Sequence, residues 1–185
     1  MIERPPEPKY HSVLGIDPST NKVACALILA GEMKSTVSIP INGRDIYDKM
    51  LAIRTNYSSI FSVYKPEFVC VEQTISIQNP EVSRKLSYIV GILIAETLYR
   101  GIPIIDVPPA SWKAYIGSKP IYKAQKDELM LKLGATEGRK EIQRLKKSQV
   151  QELMSKRYPH FSWADDDLAD AAGIATYGWS KYGIL

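Results

Sequence analysis

The spacing of apolar and polar positions changes along the chain, and each change marks an element. Residues 12–17 are short, apolar and β-branched, and after the turn formers Pro18, Ser19, Thr20 and Asn21 a second such run covers 22–30. A third extended run, 34–41, follows Gly31, which predicts three antiparallel strands in a meander. The period then lengthens. Ile46, Met50, Ile53, Tyr57, Ile60 and Phe61 recur every three or four residues, so 45–63 reads as a helix capped by Asp45 and closed before Pro66. A brief apolar strand, 67–72, comes next. Val82, Leu86, Ile89, Val90, Leu93, Ile94 and Thr97 then define a second amphipathic helix, stopped by Gly101 ahead of a strand at 103–107. Strand, helix, strand implies a right-handed parallel crossover. The rest is helical in pattern: 110–115, pieces of the segment after it, 148–158 and 165–177. Together these predict an α/β fold whose mixed sheet has three antiparallel strands followed by parallel strands, with helices on both faces.

Composition narrows the picture. A chain of 185 residues with 45% hydrophobic content can bury one full core, and its length favours one folded unit at 11–185 behind a proline-rich, flexible extension at 1–10. The longest apolar stretch, 89–98, is interrupted by Gly91 and Glu96, so a soluble protein without a membrane contact is expected. The start of the chain lacks the apolar region of a signal peptide. Cys25 and Cys70 lie in apolar runs and are not spaced as zinc ligands, which predicts core thiols in a reduced, intracellular compartment.

The net charge of +4 is unevenly placed. Between Ser118 and Lys147 nine lysines and arginines face four acids, which leaves 15 basic and 16 acidic residues elsewhere. A basic insertion at about 118–146 on a neutral body has the pattern of an element that contacts a polyanion. A solvated helical face would read the same way.

Four acids carry the chemistry. Asp17 ends the first strand and Glu72 ends the strand at 67–72, so the two coincide if those strands are neighbours. Such a pair repels itself unless cations bridge it. Asp167 and Asp170, three apart, share a helix face. Converging carboxylates without a histidine or cysteine cluster select hard cations, magnesium or manganese. Two such ions suit phosphodiester hydrolysis, one activating water and the other stabilising the departing oxygen. Each acid also has a plainer reading: Asp17 as a turn former, Glu72 as a surface strand end, and 165–167 as acids at a positive helix terminus.

Gly15-Ile16-Asp17-Pro18-Ser19, Val71-Glu72-Gln73 and Asp167-Leu168-Ala169-Asp170-Ala171 resemble the three acidic motifs of the RuvC family. Lys85-Leu86 with Gly91, Val107-Pro108-Pro109-Ala110-Ser111-Trp112-Lys113, and Lys147-Ser148-Gln149-Val150-Gln151 are similar to family segments, so the likeness runs over 12–175. The RNase H-like fold has the element order read above. The resemblance implies a homodimeric endonuclease that resolves four-way (Holliday) DNA junctions, with Asp17, Glu72, Asp167 and Asp170 as catalytic metal ligands. It also implies DNA contacts at Lys113 and Lys147, to which the basic insertion adds Lys140, Arg144 and Lys146. Two departures stand out. Ile75 occupies a place near which the family has a stacking aromatic, and an apolar wedge there would still part a base step. The route from Lys113 to Lys147 is also much longer than in the family.

Other readings stay open on the residues alone. An RNase H-like nuclease acting on flaps, forks or RNA would use the same site. A non-catalytic branched-DNA-binding module would keep the basic segment but not the acids. An actin-like nucleotide-binding protein would share the turn after Asp17, but needs two such domains.

Overall fold

The computed structural model describes residues 10–73 and 79–184. Among these residues five strands form one sheet in the order β3-β2-β1-β4-β5. β1 (Ser12–Pro18), β2 (Lys22–Leu29) and β3 (Glu32–Pro40) make the expected antiparallel meander. β4 (Phe68–Glu72) then pairs parallel to β1, and β5 (Ile104–Val107) parallel to β4.

α1 (Ile46–Tyr64) begins where Asp45 accepts a hydrogen bond from the Asp48 N–H, and ends at Lys65 in the left-handed region. α2 (Pro80–Tyr99) begins at Asn79, whose side chain accepts from the N–H groups of Glu81 and Val82. Proline at the first helical position gives up only an N–H that has no partner within the helix. Both helices cover the sheet face that carries Leu14, Ile16, Val23, Cys25 and Val71. Among them Tyr57 and Thr97, both fully buried, share a hydrogen bond of 3.0 Å that joins α1 to α2.

The opposite face carries Val13, Ala24, Ala26, Phe68 and Cys70, packed against Trp112 of α3 (Pro109–Tyr115), Val150 and Met154 of α5 (Ala135–Arg157), and the alanines of α6 (Asp166–Tyr182). α6 lies very close to β1. A Cβ at Gly15 would overlap the backbone of Ala171 and Ala175, so only glycine allows this approach. Helices therefore cover both faces, as the near-continuous apolar runs of β1, β2 and β4 require.

The segment read as basic pieces plus a separate helix at 148–158 is one hairpin of α4 (Lys123–Leu133) and the continuous α5. Buried Gly138 lets the two helices touch, since a Cβ there would meet the Met130 backbone. The last helix also runs past the expected 177, to Tyr182. Of the extension expected at 1–10, residues 1–9 lie outside the described residues. Tyr10 is not loose: it bridges to Gly183 and stacks on Phe68 with ring centroids 4.7 Å apart. Cys25 and Cys70 are both buried and unbridged, as expected. No described helix is long and apolar enough to cross a membrane.

Candidate active site

Parity along the strands places the first two acids. Side chains alternate between sheet faces, so Asp17 shares its face with Val13 and Gly15, and Glu72 shares its face with Phe68 and Cys70. Both belong to the α6 side. β1 and β4 are parallel neighbours, so their carboxyl ends fall together. α6 contributes the other two: Asp167 in its first turn and Asp170 one turn on. The close approach at Gly15 sets this helix against β1, which brings its start to the end of the strand.

These acids feel one another. Burial first, then Glu72, Asp170 and Asp167, hold the Asp17 carboxyl well above its ordinary value. Asp170 is pushed up to about 7, chiefly by burial; Lys113 pulls the other way, and Glu72, Asp166 and Asp167 add to the rise. Burial also raises Glu72, against the pull of a hydrogen bond from Trp112 Nε1 to Glu72 Oε1 at 2.9 Å. Lys113 Nζ stands 3.8 Å from Asp170 Oδ2, too far for a hydrogen bond, and 4.8 Å from the centroid of the Trp112 ring.

A second acidic group is more compact but differently balanced. Asp165, Asp166 and Asp167 bring carboxylate oxygens within 4.8 Å of one another. Lys22 Nζ bonds Asp165 at 2.7 Å and Asp167 at 2.9 Å, and Lys147 Nζ bonds Asp166 at 2.5 Å. Asp165 is also the helix cap, accepting from the Asp167 N–H. Burial alone would depress the Lys22 ammonium, but its bonds to Asp165 and Asp167 outweigh that and raise it. In this group the protein supplies its own cations, whereas among the described residues the one ion pair made by Asp17, Glu72 and Asp170 is the longer contact of Asp170 with Lys113. Asp167 belongs to both sets.

The basic residues divide. Lys113, Lys119 and Lys146 line one cleft of about 330 Å³. Gln149 fixes its wall, accepting from Ser118 Oγ at 2.6 Å and from the Lys119 N–H at 2.9 Å. Lys147 sits at the acidic helix start. Lys140 and Arg144 lie further back on α5, exposed and paired with Glu137 and Glu141. Ile75 lies outside the described residues. Sequence reasoning missed Lys22 and the Trp112 indole as site residues. No local signal marks Lys22, whose partner is 143 positions away, whereas Trp112 lies inside a family-like segment that gives it no role of its own.

The sheet order and the carboxylates at its end define an RNase H-like protein. The sequence model of crossover junction endodeoxyribonuclease RuvC matches residues 13–143, and the chain belongs to that family. A RuvC from Tolumonas auensis is 29% identical over 98 residues, 51% of this chain and 57% of the relative. One from Citrifermentans bemidjiense is 25% identical over 124 residues, 64% of this chain and 76% of the relative. The chain thus spans little more than half of the first of these. Among solved structures, Thermus thermophilus RuvC in complex with a Holliday junction substrate aligns with a TM-score of 0.63 at 16% identity, covering 91% of this chain and 94% of that one. The yeast mitochondrial Holliday junction resolvase Ydc2 aligns with 0.55 at 16% identity, covering 94% and 79%. At such identities the likeness speaks for the fold.

Proposed function

We propose that this chain is a structure-selective endodeoxyribonuclease that resolves four-way DNA junctions by metal-dependent phosphodiester hydrolysis. The observation that carries the reading is that Asp17, Glu72 and Asp170, from β1, β4 and α6, share the α6 side of one sheet end and are each raised, first by burial and then by neighbouring acids, although among the described residues it is Asp165, Asp166 and Asp167 whose oxygens lie within 4.8 Å of one another. A purely structural acid gains nothing from such company, whereas a bound divalent cation offsets the repulsion. The donor set fits magnesium, or manganese in its place: carboxylate oxygens only, with no sulfur or imidazole among the four. Asp17, Glu72, Asp167 and Asp170 would hold it, though not as equals, since Asp167 is shared with Lys22.

When bound, a pair of such ions supplies activation of the attacking water and stabilisation of the departing oxygen. The chain's own residues prepare the site. Trp112 fixes one Glu72 oxygen, and Lys22 and Asp165 fix the start of α6. Lys113, beside Asp170 and in the three-lysine cleft, would meet a phosphate.

The same reading makes the protein a homodimer, because two opposed strands need two sites. α2 offers a face for it: Tyr88, Gly91, Ala95 and Leu98 are exposed at helical spacing on the side turned from the core. Cleavage assays on synthetic four-way junctions, flaps and linear duplex, with and without magnesium, test the proposal. Junction-selective cutting that disappears in a chelator is expected; preference for flaps or RNA would move the chain to another nuclease class. Sedimentation of the wild type and Leu98→Lys tests the dimer, the variant being expected to run as a monomer.

A further inference from the structure

We infer that a cleft on the α1 and α2 side of the sheet is a second phosphate-binding subsite, which takes a backbone phosphodiester of the DNA away from the scissile position. The inference rests on the nuclease reading for its ligand, but on different residues. The cleft, of about 450 Å³, is lined by Thr20, Gly43, Arg44, Asp45, Lys49 and Lys85, among others. Its three cations come from three places: the loop before α1, the start of α1, and α2.

Among the described residues of that lining the one acid, Asp45, caps α1, its Oδ1 accepting from the Asp48 N–H at 2.9 Å. Lys49 is fixed: its Nζ donates to the Thr20 carbonyl at 2.9 Å and to Asn21 Oδ1 at 3.1 Å. An ammonium has three N–H groups, so one remains for a ligand. Arg44 and Lys85 are held by surface acids, Asp48 at 3.2 Å and Glu81 at 2.6 Å, in exposed pairs of the kind that contribute little. Each can turn to a bound anion at small loss. The arrangement is one preset ammonium with a guanidinium fork and a second ammonium at hand, which suits a phosphate oxygen set.

Position explains why the phosphate would be a neighbour of the one cut. Thr20 stands three residues after Asp17, in the turn that joins β1 to β2. Asp17 faces α6, while this cleft opens on the α1 and α2 side at the same sheet end. A strand held at the acids and passing over the Thr20 turn would reach the cleft.

The test is the salt dependence of junction binding in a chelator, where no cutting occurs. Arg44→Gln with Lys85→Gln should flatten the slope of log affinity against log salt by up to about 0.9, the value for the one phosphate left unneutralised. Each single change should give part of that. Lys34→Gln, at the opposite end of the sheet, should leave the slope unchanged. A single neutral methylphosphonate linkage, moved along the strand, should weaken the wild type at one position off the cleavage point and not weaken the double variant further there. A wild-type slope in a double variant of unchanged melting temperature overturns the inference. So does a case in which inorganic phosphate stabilises the wild type but not the variant while DNA slopes agree, since the cleft would then take a free anion. Linear duplex separates the two readings: a slope loss there, without junction preference or cleavage in the wild type, keeps the subsite and removes the resolvase.

Discussion

Trp112 donates its indole N–H to Glu72 Oε1 across 2.9 Å, and so joins the buried core beneath α6 to the acidic end of the sheet. Trp112 is fully buried, with its ring against Gly173, where a Cβ would overlap it. The ring has no room to turn, and Glu72 is held with one oxygen engaged.

Trp112→Phe keeps the ring packed but releases Glu72. Partners that orient a metal ligand are commonly worth about 10- to 100-fold in affinity or activity, so cleavage should fall by about 10-fold and need more magnesium for half its maximum. Calorimetric titration with manganese gives the affinity directly. An unchanged metal midpoint would show that Glu72 needs no such support.

The acids also make the metal-free protein sensitive to pH. Asp170 has an ordinary value of 3.8 but is pushed up to about 7, so between these limits the folded state holds a proton that the unfolded state has lost. Unfolding free energy therefore falls as pH rises through this window, and Asp17, raised as well, acts in the same direction. A divalent cation displaces the protons, so its stabilising effect should grow with pH. Melting curves at about pH 5.5 and about pH 8, with and without magnesium, read this out. Equal shifts by metal at the two pH values would mean that the acids are not coupled to it.

The element types were legible because binary pattern fixes them: the meander, α1, α2 and the parallel strands follow from periods of two and of about 3.6. The two strand-end acids were legible because β1 and β4 are each followed at once by polar residues. What escaped was set by distant partners. Lys22 meets Asp165 and Asp167 only after the sheet and α6 have packed, and Lys147 meets Asp166 from another helix. α5 escaped as a single helix for a local reason. Its buried positions, Gly138, Ile142, Val150 and Met154, are sparse in a charged sequence, and one is a glycine that serves close helix packing.

The basic insertion should act on affinity. Neutral replacement of Lys140, Arg144 and Lys146 together should weaken junction binding and flatten its salt slope. Lys146, which shares a cleft with Lys113 and Lys119, should account for most of the change, because Lys140 and Arg144 stand further back on α5, away from that cleft. Filter-binding titrations over a salt series on the triple variant and on Lys146→Gln compare them. Equal slopes in triple variant and wild type would assign this face of α5 to solvent.

Substitution can separate the two acidic groups at the start of α6. Asp170→Asn preserves shape and helix but removes one of the charges that face Asp17 and Glu72, whereas Asp165→Asn alters a cap and a partner of Lys22. If the cation is held by Asp17, Glu72, Asp167 and Asp170, cleavage by Asp170→Asn should drop at least ~100-fold, the scale of losing a group that stabilises the transition state. Junction binding should survive or tighten, since a negative charge near the phosphate has gone. Asp167→Asn should behave alike in cleavage, although Lys22 then keeps only Asp165. Asp165→Asn should lose little, because asparagine caps a helix nearly as well as aspartate and Lys22 still has Asp167. Single-turnover cleavage and junction binding, measured on all three variants, distinguish the groups. Normal cutting by Asp170→Asn with a dead Asp165→Asn would move the metal to the compact 165–167 group and leave Asp17 and Glu72 without the role proposed for them.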